Sequence, residues 1–510
     1  MRHSNLLYLV LFFCLGGCAV NPVTGDRDFM IVSGEKELAM GAQNYAPMQQ
    51  SQGGPYDVDP ALTEYVQSIG SRLGQASGVD LPYEFTVLNN SVPNAWALPG
   101  GKIAINRGLL TEMNSEAELA AVLGHEIVHA AARHTAQQQS RGMLAQIGIL
   151  ATGIAGNDSD YANLIVGGAQ VGAQMLMMKY GRKAELESDK YGMRYMSKAG
   201  YDPLGAVVLQ TTFLRLSEGR NQDWLSGLFS SHPPSQERID ANIKTAAKLP
   251  VEGVLGVDSF KAAISKTLAL KPAYDAYDKG REALAEKNTD EALALANKAL
   301  GLFSEEAHFH ALRGDVRLVN KQYDMAVTNF SRAITRRGNF FYYHLQRGLA
   351  RKELGQTNTA VADLEHSLEL LPTAPAHFTL GEIKEERGDI EAAIQHYKVV
   401  AKSGGEYGKV ATEAVVRLEL SSQPSSYLAA ACGDDGSGQV VVQIRNETPL
   451  PVTGVQALFQ YVDVSGTQRQ RSQRFSGIIA PGKIASVRTG LAPHAGSSCA
   501  AKVTAAEVAE

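Results

Sequence analysis

Apolar residues recur at helical intervals in the stretch 117–132, where the positions that would face a core are Leu119, Val122, Leu123 and Ile127. Ser115, followed three positions later by Glu118, has the pattern of a capping box, in which two side chains satisfy the first backbone N–H groups of a helix. The stretch contains one glycine and no proline. These features predict a helix that begins next to Ser115 and buries one face.

Alternating polar and apolar residues predict a small sheet just before this helix. Residues 83–88 alternate as a strand, and residues 95–106 have the pattern of a hairpin that turns at Pro99-Gly100-Gly101. A strand at the edge of such a sheet can bind an extended peptide through its unpaired backbone groups. A covered, purely structural hairpin is the alternative.

The predicted helix contains the sequence His125-Glu-Ile-Val-His129. Residues four apart lie one turn above the other on the same helix face, so His125 and His129 can bind one Zn²⁺ ion. Glu126 lies beside them, where a carboxylate can take the proton of a metal-bound water. A helix that contains this spacing by chance is the alternative, and a second matching stretch argues against it.

That second stretch, residues 182–192, carries Glu185 and Asp189 four positions apart. A catalytic zinc with two histidine ligands commonly takes a carboxylate from another helix, and Glu185 is predicted to be this third ligand. Asp189 is predicted to accept a hydrogen bond from a ligand imidazole. Glu187 is interpreted as a solvated surface charge. His134 is a competing third ligand, although a local polar contact suits its spacing better.

A further histidine, His232, precedes two prolines that disfavour helix, which places it in a loop. A loop histidine in this region can occupy the open zinc position or stabilise the oxyanion of the reaction. Arg238 is a second candidate for the oxyanion. Capping of the following helix is the structural alternative for both residues.

The first 17 residues are predicted to be a signal peptide that is not part of the fold. An apolar run over residues 6–15 follows Arg2 and is too short to span a bilayer. The sequence Leu15-Gly-Gly-Cys18 resembles the bacterial lipobox, in which the cysteine becomes the lipidated N-terminus. An ordinary signal peptide that contains Cys18 by chance is the alternative. Residues 18–58 are predicted to be a tether with a short helix near residues 35–43.

From about residue 270 the pattern changes to a repeat. Glycine recurs about every 34 residues, and alanine follows each glycine by twelve positions, at Gly280 and Ala292, Gly314 and Ala326, Gly348 and Ala360, and Gly381 and Ala393. Small residues at this period, where two helices cross, are typical of tetratricopeptide repeats. Four units over residues 270–420 predict a solenoid that binds peptides or partner proteins.

Short alternating segments after the repeats, with a turn at Pro481-Gly482, predict a small β-sandwich over residues 430–506. Cys432 and Cys499 are predicted to form a disulfide in an oxidising periplasm.

The predicted fold class is therefore α+β multidomain. It combines a mainly helical zincin (gluzincin-like) protease domain at residues 59–255, an all-α tetratricopeptide solenoid and the small C-terminal β-sandwich. The 510 residues carry a net charge of −5, which gives no support to nucleic-acid binding. Residues 143–178 form two apolar pieces that are each shorter than a membrane span, and they are interpreted as a helical hairpin over the active site or as plain core helices.

Three motifs carry a resemblance to a known family, namely His125-Glu126-x-x-His129, Glu185-x-x-x-Asp189 and Asn94-Ala-Trp-Ala-Leu-Pro-Gly-Gly101. In these motifs the chain resembles the zinc metallopeptidase family that includes HtpX, the CAAX prenyl proteases and the periplasmic BepA proteins. The repeats behind the protease region narrow the likeness to the BepA-like branch. The resemblance implies one Zn²⁺ per chain, with Glu185 as third ligand and Asp189 as its support. It also implies that His232 caps the zinc in a resting state and leaves it for cleavage.

The resemblance further implies unfolded or misassembled polypeptides as substrates and the outer-membrane barrel-assembly machinery as a partner. By its likeness to bacterial lipoproteins the chain is expected in the periplasm, lipid-anchored through Cys18 to the outer membrane, because Ala19 rather than an aspartate follows the cysteine. The lipobox and the C-terminal β-domain depart from the simplest BepA layout.

Two classes of function follow from these observations. The first is a zinc-dependent endopeptidase of the bacterial cell envelope that cleaves misfolded or stalled proteins. The second is a non-enzymatic assembly factor or chaperone that acts through the repeats, with its zinc structural or latched. Glu126 favours the first class, because a structural zinc has no use for a base at that position.

Overall fold

The computed structural model describes residues 18–140, 165–166, 179–217, 229, 231–250, 252–434, 436 and 438–509. The predicted signal peptide and most of the apolar stretch 143–178 lie outside the described residues. Within the described residues, no helix combines the length and the apolar character that crossing a membrane requires. The chain forms two compact units, Met1–Leu371 and Pro372–Glu510.

The first unit begins with two short antiparallel strands and a helix, β1 (Cys18–Val20), β2 (Arg27–Phe29) and α1 (Gly34–Ser51). Ser33 caps α1, because its hydroxyl accepts a hydrogen bond from the backbone N–H of Lys36. The buried hydroxyl of Tyr45 in α1 donates to the backbone carbonyl of Ile103 at 2.8 Å. The segment predicted as a tether is therefore folded onto the rest of this unit, and its helix is longer than predicted.

A three-stranded sheet follows the next helix, and these elements are α2 (Pro60–Ser77), β3 (Glu84–Leu88), β4 (Ala95–Leu98) and β5 (Lys102–Asn106). The strand order is β3-β5-β4, with β3 parallel and β4 antiparallel to β5. The hairpin turns where predicted, at Gly100 and Gly101, which both have positive φ. Strand β4 thus lies at one edge of the sheet, and all four of its residues are buried.

Helices complete the core around this sheet, namely α3 (Arg107–Leu110), α4 (Glu116–Ala131), α5 (Arg182–Lys198), α6 (Leu204–Ser217) and α7 (Gln236–Ala246). The predicted cap of α4 is present, since the Ser115 hydroxyl accepts the N–H of Glu118 at 3.2 Å. Every residue of α4 from Ala117 to Ala131 is buried. The prediction of one buried face was too narrow, because α4 is the central helix and other elements cover all its sides.

The central helix α4 touches α5 at two glycines. A β-carbon on Gly192 would lie 2.9 Å from the carbonyl carbon of Gly124 and 2.9 Å from the backbone nitrogen of His125. Only glycine lets two helix backbones approach this closely. The contact brings the acidic stretch of α5 beside the histidines of α4.

Helix pairs of the predicted repeats occupy the end of the first unit, as α8 (Val257–Ala285), α9 (Thr289–Leu302), α10 (Ala307–Val319), α11 (Tyr323–Arg336), α12 (Phe341–Glu353) and α13 (Thr357–Leu370). The repeat glycines lie where paired helices cross. A β-carbon on Gly314 would come within 2.8 Å of the Phe330 ring, and one on Gly348 within 2.9 Å of Leu364. One hydrophobic core runs from the helices around α4 into the first repeat.

The second unit contains three helices, α14 (Ala374–Glu386), α15 (Ile390–Ala401) and α16 (Gly405–Glu419), in which Gly381 packs on Tyr397 as in the earlier repeats. Six strands follow, β6 (Leu428–Asp434), β7 (Val440–Asn446), β8 (Val452–Val462), β9 (Gln468–Arg474), β10 (Ile484–Arg488) and β11 (Ala500–Val508). They form two three-stranded sheets over a shared core, and a disulfide joins Cys432 to Cys499. The predicted fold class is confirmed.

A buried carboxyl group in the repeats gives a prediction for stability. Asp315 in α10 is 7% exposed and accepts a hydrogen bond from the Tyr342 hydroxyl at 3.0 Å. Burial raises the pKa of Asp315 to about 7, although the charge of Arg281 opposes the shift. A group whose pKa is higher in the folded state stabilises the fold at low pH, and this contribution is lost as the pH rises through the folded pKa.

We therefore expect Asp315→Asn to raise stability relative to wild type by roughly 1–3 kcal/mol at pH 8 and to leave it nearly unchanged at pH 4. Asparagine keeps the oxygen that accepts from Tyr342 but carries no charge. Thermal unfolding of both proteins at the two pH values measures the difference. A difference that is the same at both pH values would contradict the assignment.

Candidate metal centre

Two helices and one loop bring four possible metal ligands together. His125 and His129 come from α4, Glu185 comes from the first turn of α5, and His232 comes from the loop before α7. One ligand atom of each residue lies within 4.8 Å of the corresponding atoms of the other three, and all four residues are buried. The structure thus brings together the predicted ligands and the predicted loop histidine.

The ring nitrogens and the carboxylate oxygens point at a common centre. The Nε2 atoms of His125 and His129 are 3.0 Å apart, and the Nδ1 atom of His232 lies 3.0 Å from Glu185 Oε1 and 3.3 Å from His125 Nε2. Glu185 Oε1 is also 3.4 Å from His129 Nε2. Imidazole nitrogens and a carboxylate in this arrangement form a donor set suited to zinc and related divalent ions.

The carboxylates of α5 are held by one guanidinium group. Arg238 makes two contacts of 2.7 Å to Asp189, through Nε and Nη2, and its Nη1 lies 2.8 Å from Glu185 Oε2. Asp189 Oδ1 in turn lies 2.9 Å from His125 Nδ1, on the ring side away from the metal group. This is the supporting contact that was predicted for Asp189. The two roles considered for Arg238, oxyanion stabilisation and helix capping, do not describe this geometry, in which Arg238 fixes the two carboxylates.

The charges in the site keep both carboxylates of α5 ionised and the ring of His129 neutral. Burial opposes ionisation of Glu185, but His232 and His125 hold the pKa of Glu185 well below its usual value. Burial likewise acts against the Asp189 anion, while Arg238 holds the Asp189 pKa below its usual range. Burial lowers the pKa of His129 far below its ordinary value, so this ring is neutral. The carboxylates are thus ionised beside a neutral ring, as metal binding requires.

The balance of buried charge also fits a divalent cation. Three buried carboxyl groups, Glu126, Glu185 and Asp189, lie near one buried guanidinium, that of Arg238. Uncompensated buried charge costs several kcal/mol, and a bound dication would reduce this cost. The residues present therefore fit the metal that the motif implies.

Glu126 faces this centre from the same turn of α4. Its Oε1 lies 3.6 Å from His232 Nε2, and its Oε2 is buried and has no hydrogen-bond partner among the described residues. Burial raises the pKa of Glu126, which makes it a stronger base than an exposed glutamate. The geometry suits a group that receives a proton from a molecule bound beside the metal ligands.

The cavity beside Glu126 contains residues that the sequence did not single out. Its lining combines apolar side chains with two amides, and includes Ala95, Met193, Leu209, Phe213, Gln210 and Asn242. Both amide atoms of Asn242 and Oε1 of Gln210 lack hydrogen-bond partners within the described part of the chain. Ala95 is the first residue of the edge strand β4, so the cavity and the predicted peptide-binding edge are contiguous.

Tyr180 is another site residue that sequence reasoning missed. Its ring centre lies 3.9 Å from that of His129 and 5.4 Å from that of His232, and its hydroxyl is 3.0 Å from the Thr135 hydroxyl. The ring covers one side of the ligand imidazoles. Nothing in the local sequence signals this, since Tyr180 precedes α5 and reaches α4 only through the tertiary fold.

Two further residues lie near the site, one as expected and one not. His134 is not part of the metal group among the described residues, and its Nδ1 instead lies 3.0 Å from His129 Nδ1, a local polar contact of the kind expected. The interpretation of Glu187 as a solvated charge was wrong. Its side chain is 11% exposed and its Oε1 lies 3.3 Å from His134 Nε2.

Comparisons with known proteins agree with this site. Residues 60–246 match the model of peptidase family M48, and residues 277–339 match a tetratricopeptide repeat model. A beta-barrel assembly-enhancing protease of Escherichia coli (strain K12) is 28% identical over 278 residues, which cover 53% of this chain and 55% of that protein. The mitochondrial metalloendopeptidase OMA1 of Schizosaccharomyces pombe is 31% identical over 223 residues, 43% of this chain and 63% of that protein.

The chain thus spans about half the length of the first of these relatives. Among solved structures, the Arabidopsis OM64 TPR domain is 22% identical, with a TM-score of 0.23, and the match covers 23% of this chain and 98% of that domain. The two family matches and the similarity to the Escherichia coli protease confirm the resemblance recognised from the motifs, which combines a metallopeptidase region with tetratricopeptide repeats.

The geometry of Arg238 gives a prediction about stability. Arg238→Gln leaves Asp189 and Glu185 buried without their cation, and removing one partner of a buried ion pair costs about 3–5 kcal/mol. We expect the metal-free variant to lose stability by that amount in thermal or urea unfolding. Added zinc should restore part of the loss, because it neutralises Glu185.

Arg182→Gln is the matched control. Arg182 also pairs with a glutamate, Glu237, but both side chains are largely exposed, so little stability should be lost. Equal losses in the two variants would show that Arg238 does not hold buried charges.

Proposed function

We propose that residues 59–255 form a zinc-dependent endopeptidase of the bacterial cell envelope. The observation that carries the proposal is the convergence of His125, His129 and Glu185 beside the unpartnered Oε2 of Glu126. The match to peptidase family M48 over residues 60–246 supports the same reaction class.

His125, His129 and Glu185 would hold one zinc ion through Nε2 atoms and carboxylate oxygens. When bound, zinc would act as a Lewis acid that lowers the pKa of water to about 7 and polarises the scissile carbonyl. Glu126 takes the proton of the attacking water and delivers it to the leaving amine. Strand β4, whose first residue Ala95 lines the cavity, would align the substrate as an added strand.

His232 would restrain this activity in a resting state. Its Nδ1 belongs to the same group of ligand atoms as the nitrogens of His125 and His129, and its Nε2 faces Glu126. A histidine in that position would compete with water for a metal held by the other three residues. The geometry supports a cap on the metal more than stabilisation of an oxyanion.

The substrates are proposed to be misfolded or stalled polypeptides, including outer-membrane proteins, in envelope protein quality control. The tetratricopeptide repeats would bind them or a partner such as the barrel-assembly machinery, in line with the printed name of the Escherichia coli relative. We place the protein in the periplasm, anchored to the outer membrane by a lipid on Cys18.

The first test is cleavage of an unfolded protein by the full chain and by Glu126→Gln. We expect the variant to bind zinc as wild type does and to cleave 10²–10⁴-fold more slowly, because only the base is lost. Zinc content is measured in both samples. Equal measurable rates in the two proteins would refute Glu126 as the base. No cleavage by either wild type or His232→Ala, with full zinc content in both, would favour a binding-only assembly factor.

The second test concerns the cap. If His232 restrains the enzyme, His232→Ala should cleave the same substrate faster than wild type, with zinc retained by the other three ligands. The double variant His232→Ala/Glu126→Gln should be inactive, which controls for a contaminating protease. A slower His232→Ala enzyme that still holds zinc would instead assign His232 to transition-state stabilisation.

A further inference from the structure

Each of the two ligand histidines on α4 has a partner on its second ring nitrogen. His125 Nδ1 faces Asp189, a carboxylate, at 2.9 Å. His129 Nδ1 faces another imidazole, that of His134, at 3.0 Å. Partners of this kind fix the tautomer and orientation of a metal-binding histidine and raise its basicity. His134 therefore has the position of a supporting residue for His129.

Hydrogen bonds connect His134, through Glu187, to the N-terminal strands β1 and β2 and the residues beside them. His134 Nε2 lies 3.3 Å from Glu187 Oε1, and Asn21 Nδ2 donates to the same oxygen at 3.1 Å. The Asn21 amide also lies 3.0 Å from Asp28 Oδ2, which accepts from Gln137 Nε2 at 3.0 Å. Asn21 is 1% exposed, and the hydrogen bonds of this network are partly buried.

The direction of each hydrogen bond follows from the first one. If His129 offers the lone pair of Nε2 to a metal, its proton is on Nδ1, and His134 must accept at its own Nδ1. His134 then carries its proton on Nε2, where Glu187 accepts it. The chain thus ends on a carboxylate, the same kind of group that supports His125 directly.

An unusual backbone conformation at Arg133 turns the chain so that His134 lies next to the ligand His129. Arg133, just beyond α4, has a φ of +62°, which is uncommon for a residue other than glycine. Its guanidinium binds Glu37 and donates to the carbonyl of Val32 at 2.8 Å. Strained backbone persists only where its surroundings fix it, and here the surroundings are residues of the N-terminal segment.

A further contact reaches the helical residues that follow this turn. The backbone N–H of Ile31 donates to the Ser140 hydroxyl at 2.9 Å. Residues 18–40, which we call the N-terminal segment, therefore contact the residues that follow the metal-binding helix, from Arg133 to Ser140, through side chains and backbone. A tether would make no such contacts.

We propose that the N-terminal segment is a structural part of the metal centre, and that Asn21, Glu187 and His134 form a relay that positions His129 for zinc. The inference rests on the proposed zinc site but not on peptidase activity. It makes zinc retention depend on docking of a segment that begins at Cys18, the predicted lipidation site, three residues before Asn21. His134, Glu187 and Asn21 are positioning residues, since they act through His129.

The first test measures zinc affinity of the full chain by competition with a chromogenic chelator. His134→Leu and the conservative Glu187→Gln should each weaken zinc binding about 10–100-fold. Glu64→Gln, an exposed glutamate on α2, is the matched control and should not change the affinity. The visible spectrum of the Co²⁺-loaded variants should shift, since it reports the ligand field of His129 rather than overall stability.

The second test asks whether Asn21 acts through His134. Asn21→Leu should weaken zinc binding on the order of 10-fold in the wild-type chain and cause no further loss in the His134→Leu background, because residues of one network are not additive. An equal loss in both backgrounds would overturn the relay. So would unchanged zinc affinity in Glu187→Gln and His134→Leu, provided that wild type binds zinc. A wild-type chain that binds no zinc would overturn the proposed function, and this inference with it.

Discussion

The metal centre depends on the contact of two helix backbones at Gly124 and Gly192. Any side chain at Gly192 would overlap the backbone of α4, so the helices would have to separate. Glu185 lies on α5 and the histidines on α4, and a metal ligand tolerates displacements of only a few tenths of an ångström. The two glycines, which bind nothing, thus set the distance between the histidines and the carboxylates.

This close packing has an electrostatic cost. It buries Glu185 and Asp189 together with Glu126, and Arg238 is the cation that contacts the first two. A buried carboxylate stays ionised only when hydrogen bonds and opposite charges offset its lost hydration. Metal binding and folding are therefore linked here, because a dication would relieve the same repulsion that the fold creates.

Parts of the chain far from the histidines stabilise the same region. The N-terminal segment fixes the turn at Arg133, and the core around α4 continues into the first repeat. Polar contacts add to that core, since Glu306 of the repeats accepts from Asn89, and His308 lies 3.1 Å from the carbonyl of Gly53. The first repeats are thus packed directly against the peptidase helices and are not joined to them by a linker alone.

Helical periodicity and spacing in the sequence determined that His125, Glu126 and His129 share one turn, and they determined the repeat glycines and the hairpin before α4. These are short-range properties, because side-chain direction along a helix follows from geometry that neighbouring residues fix. Only the tertiary structure decided that Arg238 binds two carboxylates and that Glu187 contacts His134. Those roles arise where elements distant in sequence meet, and the pairing is set by packing and by the need to compensate buried charge, which no local pattern records.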